Sequence, residues 1–388
     1  MKRKKEKSGN KLFLLIILVL LFVGIKIAYP DEGIPKIRVF WMDPVMVSEN
    51  GSPYKYYYDE LSHVEKHAYN QILDNIYDMP EKIKVCMLTG DELDDVFSAI
   101  MNDNPDLFFV GRKCSITREL WCNFFSVEYI MDEDEYKKAK VALDDECREI
   151  ISSLSDRTDE WQTELEIHNY IIDNCKYKLE EGQHIYSSSY GCLVNGEAGC
   201  EGYSKAAKLL FDKVGMDSVL VFGTSTASGR TPGAHMWNVV KINGDWYNLD
   251  VTWDDPVSDS GKNMRFYTYF NISNEEISKD HSDFSITMPC NSMDENYYQK
   301  KNLAFSTYTR DNESKLIDMI VEAYRNGKSQ VQFRYSDETA YKTAKKDLID
   351  NNRLSIIMKS AYEKCGYNGV QSFSYSENSK QYVITVIF

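Results

Sequence analysis

Positive charge is the scarcer sign in this 388-residue chain, with 45 Lys and Arg against 60 Asp and Glu and a net charge of −15. The deficit deepens beyond the first eleven residues, which alone hold six basic side chains and one acidic one. Such a surface repels phosphate, so nucleic acid is excluded as a partner. It suits plain solubility, or the attraction of cationic groups such as lysine side chains. Internal repeats and low-complexity tracts are absent too, which excludes solenoids and compositionally disordered chains. None of the nine cysteines forms a C-x-x-C pair. The cysteines allow one catalytic thiol plus four bridges, or several buried free thiols, and their pairing stays open. The H-E-x-x-H pattern is missing as well. His63-Val-Glu-Lys-His67 puts two histidines one helical turn apart, but its glutamate stands in the wrong place and no third ligand follows. No metal is expected, and the pair reads as a solvated helix face.

What is present begins with one apolar run, from Leu12 to Ile25, extending to Tyr29 if Lys26 reaches out to the interface. It follows the basic tail, so the positive-inside bias holds the N-terminus in the cytoplasm and sends the rest outward. A cleaved signal peptide is the rival reading, but Lys26 and Phe22 occupy positions where a cleavage site wants small residues. The expected localisation is a single-pass cell-membrane protein with its C-terminal part extracytoplasmic.

The organisation expected is a cytoplasmic tail over 1–11, an anchor over 12–29, a mainly helical region over 30–155, a central domain over 156–288 and a small α/β domain over 289–388. The helical region opens with Leu61, Val64, Ala68, Ile72 and Ile76 at helical spacing before Pro80. Residues 91–100 and 132–154 read as further helices, and 107–110 and 124–130 as strands. Next comes a helix over about 159–175 with Thr158 as its cap. Its stripe of Trp161, Leu165, His168, Ile172 and Cys175 makes His168 a core histidine.

Tyr203, Ala206, Ala207, Leu210 and Val214 then repeat at helical spacing, with Gly215 placed as the C′ glycine, so Cys200 opens a helix. A helix start supplies unpaired N–H groups and the positive end of the dipole, which favour a thiolate. Gly196, Gly199 and Gly202 let backbone come close, and the Cys200 N–H can aim at an oxyanion. After a strand over 218–223, Asn243-Gly244 joins two further strands as a hairpin. Its register sets Trp237 opposite Asp250 and His235 opposite Thr252. His235 and Asp250 are then diagonal neighbours on one face, base and orienting acid for a Cys200 nucleophile.

Three stretches carry a resemblance: Val194-Asn-Gly-Glu-Ala-Gly-Cys-Glu-Gly-Tyr203, Gly233-Ala-His-Met-Trp-Asn238 and Asn243-Gly-Asp-Trp-Tyr-Asn-Leu-Asp-Val-Thr-Trp-Asp-Asp-Pro256. They are similar to the motifs of bacterial transglutaminase-like proteins, over about residues 160–275. The resemblance implies a papain-like α+β fold with Cys200, His235 and Asp250 as nucleophile, base and orienting acid. Animal transglutaminases instead have a tryptophan after the cysteine and depend on calcium. Here Glu201-Gly202-Tyr203 follows, and no calcium loop or other cofactor site is seen. Trp237 and Tyr203 are the candidate substrate-binding residues, with simple packing the plainer reading for Trp237. The expected function is a thiol enzyme acting on protein or peptide amides through a thioester. The alternatives are a cysteine peptidase or amidase on cell-wall peptides, and a non-catalytic surface scaffold.

Overall fold

The computed structural model describes residues 54–119, 122–180, 182–227, 231–255, 264–310, 312–368 and 371–388. The expected tail (1–11) and membrane anchor (12–29) lie outside the described residues. Among the described residues no helix is long and apolar enough to cross a membrane. All nine cysteines are free thiols.

Two compact units divide the chain. The first holds residues 55–103 and 109–133, with α1 (His63–Ile76), β1 (Ile83–Val85), α2 (Gly90–Asp103), β2 (Val110–Arg118) and β3 (Asn123–Tyr129). Helix α1 starts where a capping box allows it: the Ser62 side chain accepts from the Glu65 N–H while the Glu65 carboxylate accepts from the Ser62 N–H. The apolar stripe read from the sequence buries Val64, Ala68, Ile72 and Ile76. The strands form an antiparallel sheet in the order β1-β3-β2. Of the strand expected at 107–110 only Val110 pairs, because the Leu107 N–H turns back to the Asn104 carbonyl at 3.1 Å.

The second unit takes in residues 104–108 and 134–388. Helices α3 (Glu133–Ser153) and α4 (Glu160–Asn174) lead into it. The cap of α4 is Asp159 rather than Thr158, since its carboxylate accepts the Gln162 N–H at 3.0 Å. The short parallel pair β4 (Lys176–Tyr177) and β5 (Glu197–Ala198) follows, with α5 (Ser189–Leu193) between them. Helix α6 (Cys200–Val214) then runs to Gly215, which closes it with φ +82°.

Behind α6 stands an antiparallel sheet in the order β8-β7-β6-β9, built from β6 (Ser218–Ser225), β7 (Gly233–Ile242), β8 (Asp245–Leu249) and β9 (His281–Ser282). Asn243 (φ +52°) and Gly244 (φ +96°) make its two-residue turn, and Ile242 faces Asp245 as expected. The pairing ends sooner than the sequence suggests. Asn238 with Leu249 is the last pair, and Asp250 caps a short helix, α7 (Val251–Asp254). The expected pairs Trp237 with Asp250 and His235 with Thr252 therefore do not form. The cause is local: the Asp250 carboxylate accepts the Trp253 N–H at 3.1 Å and turns the chain into a helix.

The rest is α/β. Strands β10 (Ala304–Phe305), β11 (Gln330–Tyr335), β12 (Ser374–Asn378) and β13 (Val383–Ile387) lie in the order β10-β11-β13-β12. With α8 (Asn312–Arg325), α9 (Glu338–Lys345) and α10 (Arg353–Lys364) they enclose a core that includes Leu316, Phe333, Ile357 and Ile384. Polar side chains tie this part to the segments that precede it. Gln332 accepts from the Tyr298 hydroxyl at 2.9 Å, and Gln381 donates to the Glu276 carbonyl at 2.8 Å. The whole is a mixed α+β fold.

Candidate active site

Cys200 sits where its sequence places it, at the first residue of α6 with Gly199 as cap, and is partly exposed. Its N–H belongs to the first turn, where the helix has no carbonyl for it. Gly202, one turn in, keeps this start tight, because an added Cβ would stand 2.7 Å from both the Ala198 Cβ and the Tyr186 carbonyl oxygen. The wall behind the helix is pinned by two hydrogen bonds to β7. The Ser204 hydroxyl donates to the Met236 carbonyl, and Asn238 donates to the Ser204 carbonyl, both at 3.0 Å.

This docking brings β7 against Cys200. His235 turns Nε2 to the Asp250 Oδ2 at 2.7 Å, and its ring also interacts with the Cys200 thiol. With Nε2 engaged, Nδ1 is the nitrogen left for the thiol. Burial works against charge on His235, but Asp250 and then Cys200 outweigh it and lift the imidazole to about 10. Asp250 is fully buried. Burial alone would raise its carboxyl, yet His235 and His281 hold it well below the usual carboxylate range. The three residues named from the sequence therefore meet, and they are arranged as thiol, imidazole and carboxylate in line.

The two residues read as substrate-binding are both fully buried. Tyr203 is fully buried and gives its hydroxyl to Asp255 Oδ2 at 2.6 Å. Burial pushes the Asp255 carboxyl up to about 6 against that hydrogen bond. Trp237 is buried as well, stacked beside the His235 ring at 6.1 Å and donating its Nε1–H to Asn248 at 3.1 Å. Both are packing residues. His168 is a core histidine as expected, hydrogen-bonded to Asp254 at 3.2 Å.

Sequence reading missed three residues. His281 points Nε2 at the same Asp250 oxygen at 3.1 Å and Nδ1 at Asp280 Oδ1 at 2.7 Å. It falls in a polar stretch without periodicity, so nothing local marks it. Trp253, partly exposed, packs on both imidazoles, 4.7 Å from the His281 ring and 5.9 Å from that of His235. Tyr177, 41% exposed, lies on the strand that pairs with Ala198 two residues before Cys200. Burial, then the charges of Cys200 and Asp250, push its phenol up to about 12.

His235, Asp250 and His281 offer metal-binding atoms within 4.8 Å of one another. Here two ring nitrogens converge on one carboxylate oxygen at 2.7 and 3.1 Å. Ligands around a tetrahedral zinc at ~2.1 Å stand roughly 3.4 Å apart. The spacing is that of shared protons.

Residues 147–251 match the family model of the transglutaminase-like superfamily. Among solved structures the chain is similar to a crystal structure of a TGase, at 16% identity and a TM-score of 0.26 over 45% of this chain and 50% of that one. It is also similar to a protein of Cytophaga hutchinsonii provisionally described as a cysteine protease, at 11% identity and a TM-score of 0.24 over 37% of this chain and 62% of that one. The chain thus spans less than two thirds of either structure. No curated protein matches it. The chain carries a transglutaminase-like superfamily domain, whose matched stretch contains Cys200, His235 and Asp250 and ends before His281.

Proposed function

We propose that the protein is a membrane-anchored, extracytoplasmic thiol enzyme acting on carboxamides of proteins or peptides. The Cys200 thiolate attacks the carbonyl carbon, the oxyanion meets the Cys200 N–H at the start of α6, and the His235 imidazolium gives its proton to the departing amine or ammonia. The resulting thioester is then opened by a lysine amine, giving a crosslink, or by water, giving deamidation or cleavage. The neutral His235 takes the proton from whichever acceptor attacks.

The observation that carries this reading is the single line from Cys200 through the His235 ring to Asp250, closed by the 2.7 Å contact. The anchor rests on the apolar run beginning at Leu12.

The test gives the full-length protein in detergent a glutamine peptide with a labelled amine, and separately a cell-wall peptide, beside Cys200→Ala. Amine incorporation names a crosslinker, ammonia release alone a deamidase, and cleavage a peptidase. A Cys200 that alkylates no faster than a buried thiol, with no activity depending on it, sinks the enzyme reading.

A further inference from the structure

His281 lies outside the stretch matched by the family model, yet it holds the orienting carboxylate. Its ring is fully buried between two acids, with Nδ1 2.7 Å from Asp280 Oδ1 and Nε2 3.1 Å from Asp250 Oδ2. A carboxylate only accepts, so both ring nitrogens must carry protons and the ring is an imidazolium. The surroundings suit a cation: Trp237 and Trp253 lie 5.2 and 4.7 Å away, ring centre to ring centre. Burial opposes the charge, but the hydrogen bonds to Asp250 and Asp280 prevail and raise the group. The groups facing it are Asp250 at the start of α7, His235 on β7, its neighbour Asp280, and Tyr269, whose hydroxyl donates to Asp280 Oδ2 at 2.8 Å. From the C-terminal sheet, Asn378 donates to that hydroxyl at 3.2 Å.

We propose that His281 is a positioning residue: a second, permanently protonated imidazole, held by Asp280, that fixes Asp250 and divides its charge so that His235 releases its proton readily to the leaving group. The proposal rests on the thiol-enzyme reading for its kinetic consequence only. An undivided carboxylate 2.7 Å from His235 would bind the imidazolium proton so firmly that it becomes a poor acid. The positive charge of His281, 5.4 Å away between ring centres, opposes this. The same contact keeps Oδ2 aimed at His235 while Oδ1 caps α7.

Two variants separate charge from shape. His281→Gln removes the cation and can still donate to Asp250. Asp280→Asn is isosteric and keeps the His281 ring, but ends its enforced second proton. In both, the alkaline limb of amide turnover should move up by about one pH unit, with kcat down roughly tenfold and KM within twofold. A purely structural His281 would lower yield or melting temperature and leave the limb in place, and that result overturns the proposal.

The charge state is read separately in the full-length chain by nitrogen NMR of its six histidine rings. The His281 signal is identified as the one lost in His281→Gln or, if that variant does not fold, the one displaced in Asp280→Asn. Two protonated ring nitrogens well above pH 7 are expected. A ring that titrates near 6.5 overturns the proposal, whether or not turnover is found. Absence of Cys200-dependent activity with a doubly protonated His281 refutes the enzyme reading and the kinetic role, leaving only the buried cation.

Discussion

His235 and His281 give their Nε2 protons to the same oxygen of Asp250, at 2.7 and 3.1 Å. One buried carboxylate thus answers two buried imidazoles, while its other oxygen caps α7 through the Trp253 N–H. Buried charge is tolerable only when every member is paired, so loss of the central member should be felt at both ends.

Asp250→Asn tests this directly. The amide keeps a cap acceptor but cannot neutralise two imidazoliums, and its NH₂ would face their N–H groups. Turnover should fall on the order of 10³-fold or more, as when an orienting acid is lost from a triad. Stability should drop by about 3–5 kcal/mol, the usual cost of breaking a buried ion pair from one side. Kinetics and a denaturant titration read the two effects. A variant with full activity removes Asp250 from the mechanism.

The pH dependence of stability has a definite sign. The folded-state value of His235, about 10, lies above the unfolded one, about 6.5. Its contribution is therefore complete below about pH 6.5 and is lost as pH rises through about 10. Asp250 is depressed, so its contribution is present above the ordinary carboxylate value near 3.9 and is lost as pH falls. Together they place the best stability from this pair between about pH 4 and 6.5. Melting temperature should fall steadily from pH 7 to 10, and Asp250→Asn should flatten that slope. An unchanged slope would mean that the pair is not charged in the fold.

Much of this site was legible because its causes are local. Asn243-Gly244 sets the hairpin register, and the spacing from Tyr203 to Val214 with Gly215 sets α6 and thereby Cys200. The contact of Asp250 with His235 was legible and the backbone of Asp250 was not: aspartate caps a helix as readily as it continues a strand edge, and alternation cannot tell the two apart. His281 was illegible for another reason. It reaches Asp250 from 31 residues away through a two-residue strand, and only tertiary packing creates that proximity. The buried positions of Tyr203 and Trp237 were hidden likewise, since an aromatic ring beside a catalytic residue lines a channel or fills a core with the same sequence pattern.

Tyr203→Phe follows from that correction. The ring stays and only the 2.6 Å hydrogen bond to Asp255 is lost. The cost should be about 1–3 kcal/mol, because the partly buried carboxyl loses its donor. KM and the rate of Cys200 alkylation should stay within about twofold. A large rise in KM with little loss of stability would return Tyr203 to the substrate site.

Gly223 is where the two histidines are allowed to meet. On β6 it faces His235 of β7, and β9 crosses so closely that a Cβ here would stand 2.4 Å from the Ser282 carbonyl and 3.0 Å from the Trp237 ring. The backbone cannot yield at that distance without moving β9, the strand that carries His281. Gly223→Ala should cost about 1–3 kcal/mol by overpacking and should also weaken the contact between His281 and Asp250. Gly215→Ala is the matched control. Its backbone is strained at φ +82°, but nothing lies within 4 Å of the added methyl, so it should lose a comparable amount of stability and leave the pH profile of turnover alone. If the two variants behave alike in that profile, the close crossing at Gly223 serves packing and has no hold on the His235 imidazole.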